Sequence, residues 1–186
     1  LPAAQVLLTA LVVMLLDLFL KENEKGLLAW IGLLGLALCG METMLLWGSQ
    51  DAAFGGTLLL DNFALFFTQI FLGAAGLTIL ASVHYVRATR IKEGEFYALI
   101  LFATVGMIVM AAANDLIVFF LGLETMSVAV YVLTGMWRAS ARSSEAAMKY
   151  FVMGAFATGF LLYGIAWIYG ATGSTNLTRI VDFLDK

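Results

Sequence analysis

The sequence is poor in charge, cysteine and histidine. Charged residues make up 12% of its 186 positions, roughly half of the ~25% found in ordinary soluble domains. The single cysteine, Cys39, and the single histidine, His84, exclude a disulfide framework, a Cys-ligated iron–sulfur cluster, a bis-His haem and a Cys/His zinc site formed within this chain. We therefore expect no redox cofactor here, so any redox chemistry belongs to partner proteins.

Hydrophobic residues are abundant, at 62%, and the mean hydropathy is +0.97. Six continuously apolar runs are each long enough for a membrane helix, and they lack the alternation of a membrane β-barrel. The sequence predicts an all-α, polytopic transmembrane helix bundle forming a single membrane domain over residues 1–186. The expected helices lie near residues 3–20, 27–47, 57–83, 96–113, 116–136 and 146–169.

Lysine and arginine are distributed unevenly among the loops. The first, third and fifth loops hold seven of the ten, and by the positive-inside rule these odd loops should face the cytoplasm. Both ends of the sequence should then be periplasmic in a bacterium. Because the chain begins at Leu1 rather than at methionine, we expect it to be a fragment of a longer protein.

Glu124 is the most informative charge. It falls in the middle of the fifth apolar run, where an ionisable side chain costs several kcal/mol unless it is partnered, protonated or hydrated. Asp17, Glu42 and Asp61 lie within one or two turns of predicted helix ends, which favours structural roles for them. His84, near the end of the third helix, is interpreted as a hydrogen-bonded interfacial residue.

Lys149 is the natural cationic complement to Glu124. The run Ser143-Ser144-Glu145 predicts the start of the sixth helix, which places Lys149 about 7 Å inside it and Glu124 about 20 Å from the same end. A separation of ~12 Å in depth favours a water-mediated proton relay over a direct salt bridge. Two alternatives remain: Lys149 snorkels to the surface, and Glu124 forms a static buried pair or a protonated hydrogen bond.

Several motifs resemble the antiporter-like subunit N of bacterial respiratory complex I. The resemblance rests on Gly94-Glu95-Phe96-Tyr97-Ala98 through Asn114-Asp115-Leu116, and on Leu121-Gly122-Leu123-Glu124-Thr125-Met126-Ser127. It continues through Ser143-Ser144-Glu145-Ala146-Ala147-Met148-Lys149-Tyr150-Phe151 and Tyr169-Gly170-Ala171-Thr172-Gly173-Ser174. The match is strong over residues 94–177 and looser before them.

This resemblance implies a proton-translocating membrane-arm subunit of NADH:quinone oxidoreductase, in a bacterial inner membrane. It assigns Glu124 and Lys149 to the proton pathway, and it places NADH, FMN, iron–sulfur clusters and quinone in partner subunits. Family members usually have about fourteen helices in two inverted repeats, so six helices would be the start of that fold. The seventh-helix lysine that the family pairs with the fifth-helix glutamate has no matching position here.

Two alternative functions remain at this point. The chain could be an antiporter-like subunit of a cation/proton antiporter or of a membrane-bound hydrogenase. It could also be a non-conducting membrane scaffold, whose buried charges only fix the register of the helices. We expect lipid and other membrane subunits as partners, and no nucleic acid.

Overall fold

The computed structural model describes residues 1–21, 24–89 and 91–185. Six of its helices are long and apolar enough to cross a membrane, as the sequence predicts. The helices are α1 (Pro2–Phe19), α2 (Leu27–Leu45), α3 (Asn62–Thr89), α4 (Glu93–Ala112), α5 (Leu116–Thr134), α6 (Ala141–Thr172) and a short α7 (Leu177–Leu184).

The third helix begins later than predicted. Residues 51–60 form a small antiparallel hairpin of β1 (Asp51–Ala53) and β2 (Leu58–Leu60), joined by the 3-10 turn Phe54–Gly56. Gly55 and Gly56 have φ angles of +69° and +86°, a backbone region that glycine enters without a Cβ clash. Helix α3 runs from Asn62 to Thr89, so the predicted span 57–83 is wrong at both ends. His84 lies inside this helix, and its side chain is exposed.

The sixth helix begins earlier than predicted. Ser140 is its N-cap and Ala141 its first residue, so the predicted start at Ser143 is wrong. The helix ends where Gly173 takes φ +70° and donates its N–H to the carbonyl of Tyr169 at 2.8 Å, a common glycine-terminated stop. With this start, Lys149 lies about 12 Å inside the helix instead of about 7 Å.

Helix α4 is at the centre of the bundle, because it packs against α1, α2, α3 and α5. The buried apolar core joins the first four helices, and Tyr97 and Leu101 of α4 are fully buried in it. Helix α6, in contrast, packs along α5, and Ile165 is the one residue classed as buried among those described in α6. The two helices that carry Glu124 and Lys149 thus lie at the edge of the bundle.

The loops separate into two ends of the molecule. At one end, which we call the hairpin end, backbone hydrogen bonds join Asn114 to Thr57, Leu116 to Thr175 and Leu177 to Asn114 at 2.8–2.9 Å. The other end carries the loops after α1, α3 and α5, and we call it the basic end. Ion pairs between Lys25 and Asp17, Arg87 and Glu93, and Arg138 and Glu95 place these loops at the same end of the bundle.

Candidate functional site

Helix α5 positions Glu124 near the middle of a span. The helix starts after Asp115, whose carboxylate accepts a hydrogen bond from the N–H of Ile117 at 2.9 Å. A second interaction fixes the same carboxylate, because Thr175 donates its hydroxyl to Asp115 at 2.7 Å. Glu124 lies about 12 Å from the start of α5 and about 15 Å from its end, close to the midpoint of the helix.

A close helix contact holds α5 against α4. A Cβ atom added at Gly106 would lie 2.5 Å from the backbone nitrogen of Met126 and 2.6 Å from the carbonyl oxygen of Gly122. The two backbones touch here because both helices carry glycine at the crossing point, a typical packing device in membranes. Glu124 follows Gly122 by two residues, about 200° around the helix, so it lies on the side of α5 that faces away from this contact.

The carboxylate of Glu124 has one oxygen that is buried and makes no hydrogen bond to the described residues. The residue as a whole is partly buried, and the oxygen concerned is Oε1. The neighbouring hydroxyl of Thr125 donates to the carbonyl of Leu121 at 2.8 Å instead. A buried carboxylate oxygen without a hydrogen-bond partner costs free energy, so this oxygen is open to a water molecule or to another polar group.

Helix α6 lies along the face of α5 that also carries Glu124. Tyr131, seven residues and about two turns after Glu124, makes edge-to-face ring contacts with Tyr150 and Phe151 of α6. Nearer the basic end, Ser143 donates its hydroxyl to the carbonyl of Thr134 at 2.7 Å. The two helices are therefore antiparallel neighbours, with the α5–α6 contact closest at the loop that joins them.

Lys149 points away from this contact. The α6 residues that are at least partly buried recur every three, four or seven positions along one face: Ser143, Ala147, Gly154, Thr158, Leu161, Ile165 and Thr172. Lys149 follows Ala147 by two residues, about 200° around the helix. Its ammonium instead pairs with Glu145 at 2.5 Å, and the two side chains are 70% and 62% exposed.

The structure does not bring Glu124 and Lys149 together. The contact between Tyr131 and Phe151 shows that these two residues lie at the same height in the bundle. Glu124 lies seven residues from Tyr131 toward the hairpin end, and Lys149 lies two residues from Phe151 toward the basic end. The two residues are therefore about 14 Å apart along the helix axes, similar to the predicted ~12 Å. No direct ion pair was expected. Glu145 lies one turn nearer the basic end than Lys149, so the lysine points in the direction that snorkelling predicts.

The other membrane-embedded acids have structural roles where contacts are visible. Asp61 accepts a hydrogen bond from the N–H of Ala64 at 2.8 Å and so caps α3. Asp17 pairs with Lys25 at 3.4 Å, with both side chains about 15% exposed or less. The favoured structural roles for Asp17 and Asp61 agree with these contacts.

A set of polar residues at the basic end was not predicted as a group. Arg87 pairs with Glu93 at 3.5 Å, and Lys92 and Arg138 both pair with Glu95. The sequence signal was present, because the third and fifth loops are both basic, but their contact depends on the tertiary fold. Within the described part of the chain, no group of three or more His, Cys, Asp or Glu side chains could hold a metal ion.

Comparison with known proteins shows which proteins this chain resembles. Residues 113–186 match the family described as "NADH:quinone oxidoreductase/Mrp antiporter, TM". The chain is 49% identical to the NADH-quinone oxidoreductase subunit N of Trichlorobacter lovleyi, covering 93% of this chain and 36% of the relative. It is 47% identical to that of Chloroflexus aggregans, covering 96% and 37%. The expected resemblance to the subunit N family is confirmed.

Solved structures support the fold of this subunit N-like chain. It matches a chain of respiratory complex I from Thermus thermophilus at 34% identity with a TM-score of 0.79, covering 95% of this chain and 38% of that one. It also matches a chain of an archaeal membrane-bound sulfane sulfur reductase with a TM-score of 0.80. At 24% identity, that second match concerns the fold alone.

The chain is much shorter than the relatives that it matches. The chain spans about 36–38% of the length of the subunit N relatives it matches. The antiporter-like transmembrane fold class is confirmed. The relatives are subunits of NADH-quinone oxidoreductase, and six membrane-capable helices agree with a multi-pass protein of a bacterial inner membrane.

Proposed function

We propose that this chain forms part of a proton-translocating membrane-arm subunit of NADH:quinone oxidoreductase, with Glu124 as the residue that takes up and releases the proton. The observation that carries the proposal is the buried Oε1 of Glu124, which has no hydrogen-bond partner among the described residues. Asp17 and Glu93 also have a buried carboxylate oxygen without a hydrogen bond, but each of them pairs with a basic side chain, and Glu124 has no such pair among the described residues. A carboxylate that must change its protonation state needs an oxygen that is free to receive the proton.

Lys149 is the second proton-transfer residue in this proposal. Its ammonium is held by Glu145 near the basic end, where it can exchange protons with water. The ~14 Å between Lys149 and Glu124 is too long for direct transfer, so hydroxyls or water must lie between them. Ser127 and Tyr131 support such a route, because they follow Glu124 by three and seven residues on the same face of α5.

The rest of the proposal concerns the whole assembly. The described helices would be the start of a longer inverted-repeat subunit of about fourteen helices, working beside other membrane-arm subunits. NADH, FMN, iron–sulfur clusters and quinone would be in partner subunits, and quinone reduction there would drive the proton step here. The odd loops would face the cytoplasm, because they carry most of the lysine and arginine.

The test measures proton pumping by the complete complex in reconstituted membranes, with Glu124→Gln and Lys149→Met made separately. Glutamine keeps the size and polarity of glutamate but cannot carry the proton, so pumping per electron should fall in an assembled complex. Glu42→Gln is the matched control, because Glu42 is a carboxylate in another membrane helix whose side chain is 37% exposed. It should leave pumping unchanged.

The outcomes separate the two residues. Normal pumping and normal assembly with Glu124→Gln would contradict the proposal and support a scaffold whose charges only fix helix register. Normal pumping with Lys149→Met alone would leave Glu124 in place and reduce Lys149 to a surface charge paired with Glu145.

A second candidate function is supported by the description of the matched family, which includes the Mrp antiporter. In that case the subunit would exchange a cation for a proton without a redox partner. Proton movement that depends on a sodium or potassium gradient, and not on NADH, would favour the antiporter.

A further inference from the structure

A groove opens at the basic end, away from Glu124. It lies between the start of α4 and the loop that joins α5 to α6, and its volume is about 360 Å³. Two segments that are far apart in sequence form its walls, with Lys92 and Glu95 on one side and Trp137 and Arg138 on the other. This is enough room for a phosphate with part of its glycerol backbone, but not for a folded partner.

Glu95 holds two cations at the rim of the groove. Its Oε1 lies 2.8 Å from the ammonium of Lys92, and its Oε2 lies 3.9 Å from the guanidinium of Arg138. Lys92 and Arg138 remain 63% and 81% exposed. Because an ammonium has three N–H donors and a guanidinium five, most of the donors are still free, and the three side chains together carry one positive charge.

The remainder of the groove is mostly apolar, apart from Thr89, and lies at the level of the helix ends. Ile91 and Met136 form its apolar lining, and Trp137 is 47% exposed. Tryptophan at the end of a membrane helix favours the headgroup region, because its ring is apolar and its N–H is polar. The groove therefore offers cations to a headgroup and an apolar surface to the start of an acyl chain.

We propose that this groove binds the headgroup of an anionic phospholipid. A phosphodiester oxygen pair matches the planar guanidinium of Arg138, while Lys92 supplies a second point charge. Basic pockets between membrane helices are known sites for anionic headgroups. The charge selects an anionic lipid over a zwitterionic one, and Glu95 keeps both cations in position before the lipid arrives.

The test uses the full-length protein, purified in its natural assembly and depleted of lipid. Its thermal stability is measured during titration with dioleoylphosphatidylglycerol or dioleoylphosphatidylcholine. Lys92→Gln/Arg138→Gln should weaken the response to phosphatidylglycerol roughly 30-fold, since each cation near an anionic headgroup contributes about a factor of five. The control Lys21→Gln/Arg142→Gln removes the same charge from the same end, outside the groove, and should respond like the parent protein.

A variant that keeps both charges tests whether the groove variant is simply misfolded. Lys92→Arg/Arg138→Lys preserves both charges and should retain most of the phosphatidylglycerol response, which excludes simple misfolding. An equal loss in the groove and control variants, or an unchanged response in the groove variant, would overturn the proposal. Stabilisation by inorganic phosphate as strong as that by phosphatidylglycerol would also overturn it. So would a groove variant that loses an associated subunit but still binds the lipid.

Discussion

The contact between α4 and α5 predicts a large effect from one added methyl group at Gly106. In Gly106→Ala, the new Cβ would meet the backbone nitrogen of Met126 at 2.5 Å and the carbonyl oxygen of Gly122 at 2.6 Å. Backbone atoms cannot rotate away as a side chain can, so the helices must separate by about 1 Å to reach normal contact. Overpacking of this kind costs about 1–3 kcal/mol.

Gly159→Ala is the matched control for this prediction. Gly159 is also in the middle of a membrane-capable helix, but a Cβ there would meet nothing within 4 Å. Alanine favours a helix over glycine by up to about 1 kcal/mol, so this variant should be neutral or slightly stabilised. The assay is thermal unfolding of the full-length protein in one fixed detergent and lipid mixture. Equal stability of the two variants would refute the close backbone contact.

Two further predictions concern the turns at the hairpin end. Asp115→Ala removes the α5 cap and the Thr175 hydrogen bond and should destabilise the protein by about 1–3 kcal/mol. The control Asp51→Ala, at an exposed strand residue, should change thermal unfolding little. Equal effects of the two variants would contradict the capping role of Asp115. Gly173→Ala places a side chain on a residue with φ +70° and should lower the free energy of unfolding by about 1 kcal/mol. Gly170→Ala, in the helical part of α6, should not lower it. A lower melting temperature for Gly170→Ala alone would contradict this explanation.

The six spans could be predicted because length and hydropathy alone define a membrane helix. The hairpin could not, because Leu58–Leu60 is as apolar as the helix that follows it. Its strand conformation depends on the turn at Gly55 and Gly56 and on the contact between Thr57 and Asn114. Helix α7 is too short for a span, although Gly173 and the cap residue Asn176 are recognisable stop and start signals.

Half of the candidate site could be predicted in the same way. The depth of Glu124 follows from its place in an uninterrupted apolar run, and the structure gives it a buried oxygen. The direction of Lys149 could not be predicted, since an apolar helix does not show which face meets its neighbour. That face is fixed by contacts such as Tyr131 with Phe151, which only the folded chain reveals.

Infrared difference spectroscopy on the complete complex, triggered by NADH, tests most directly whether Glu124 changes its protonation state during turnover. The account predicts a protonated-carboxyl stretching band that shifts in heavy water and that disappears in Glu124→Gln but persists in Glu42→Gln. An identical difference spectrum in the parent protein and in Glu124→Gln, with electron transfer intact, would contradict it.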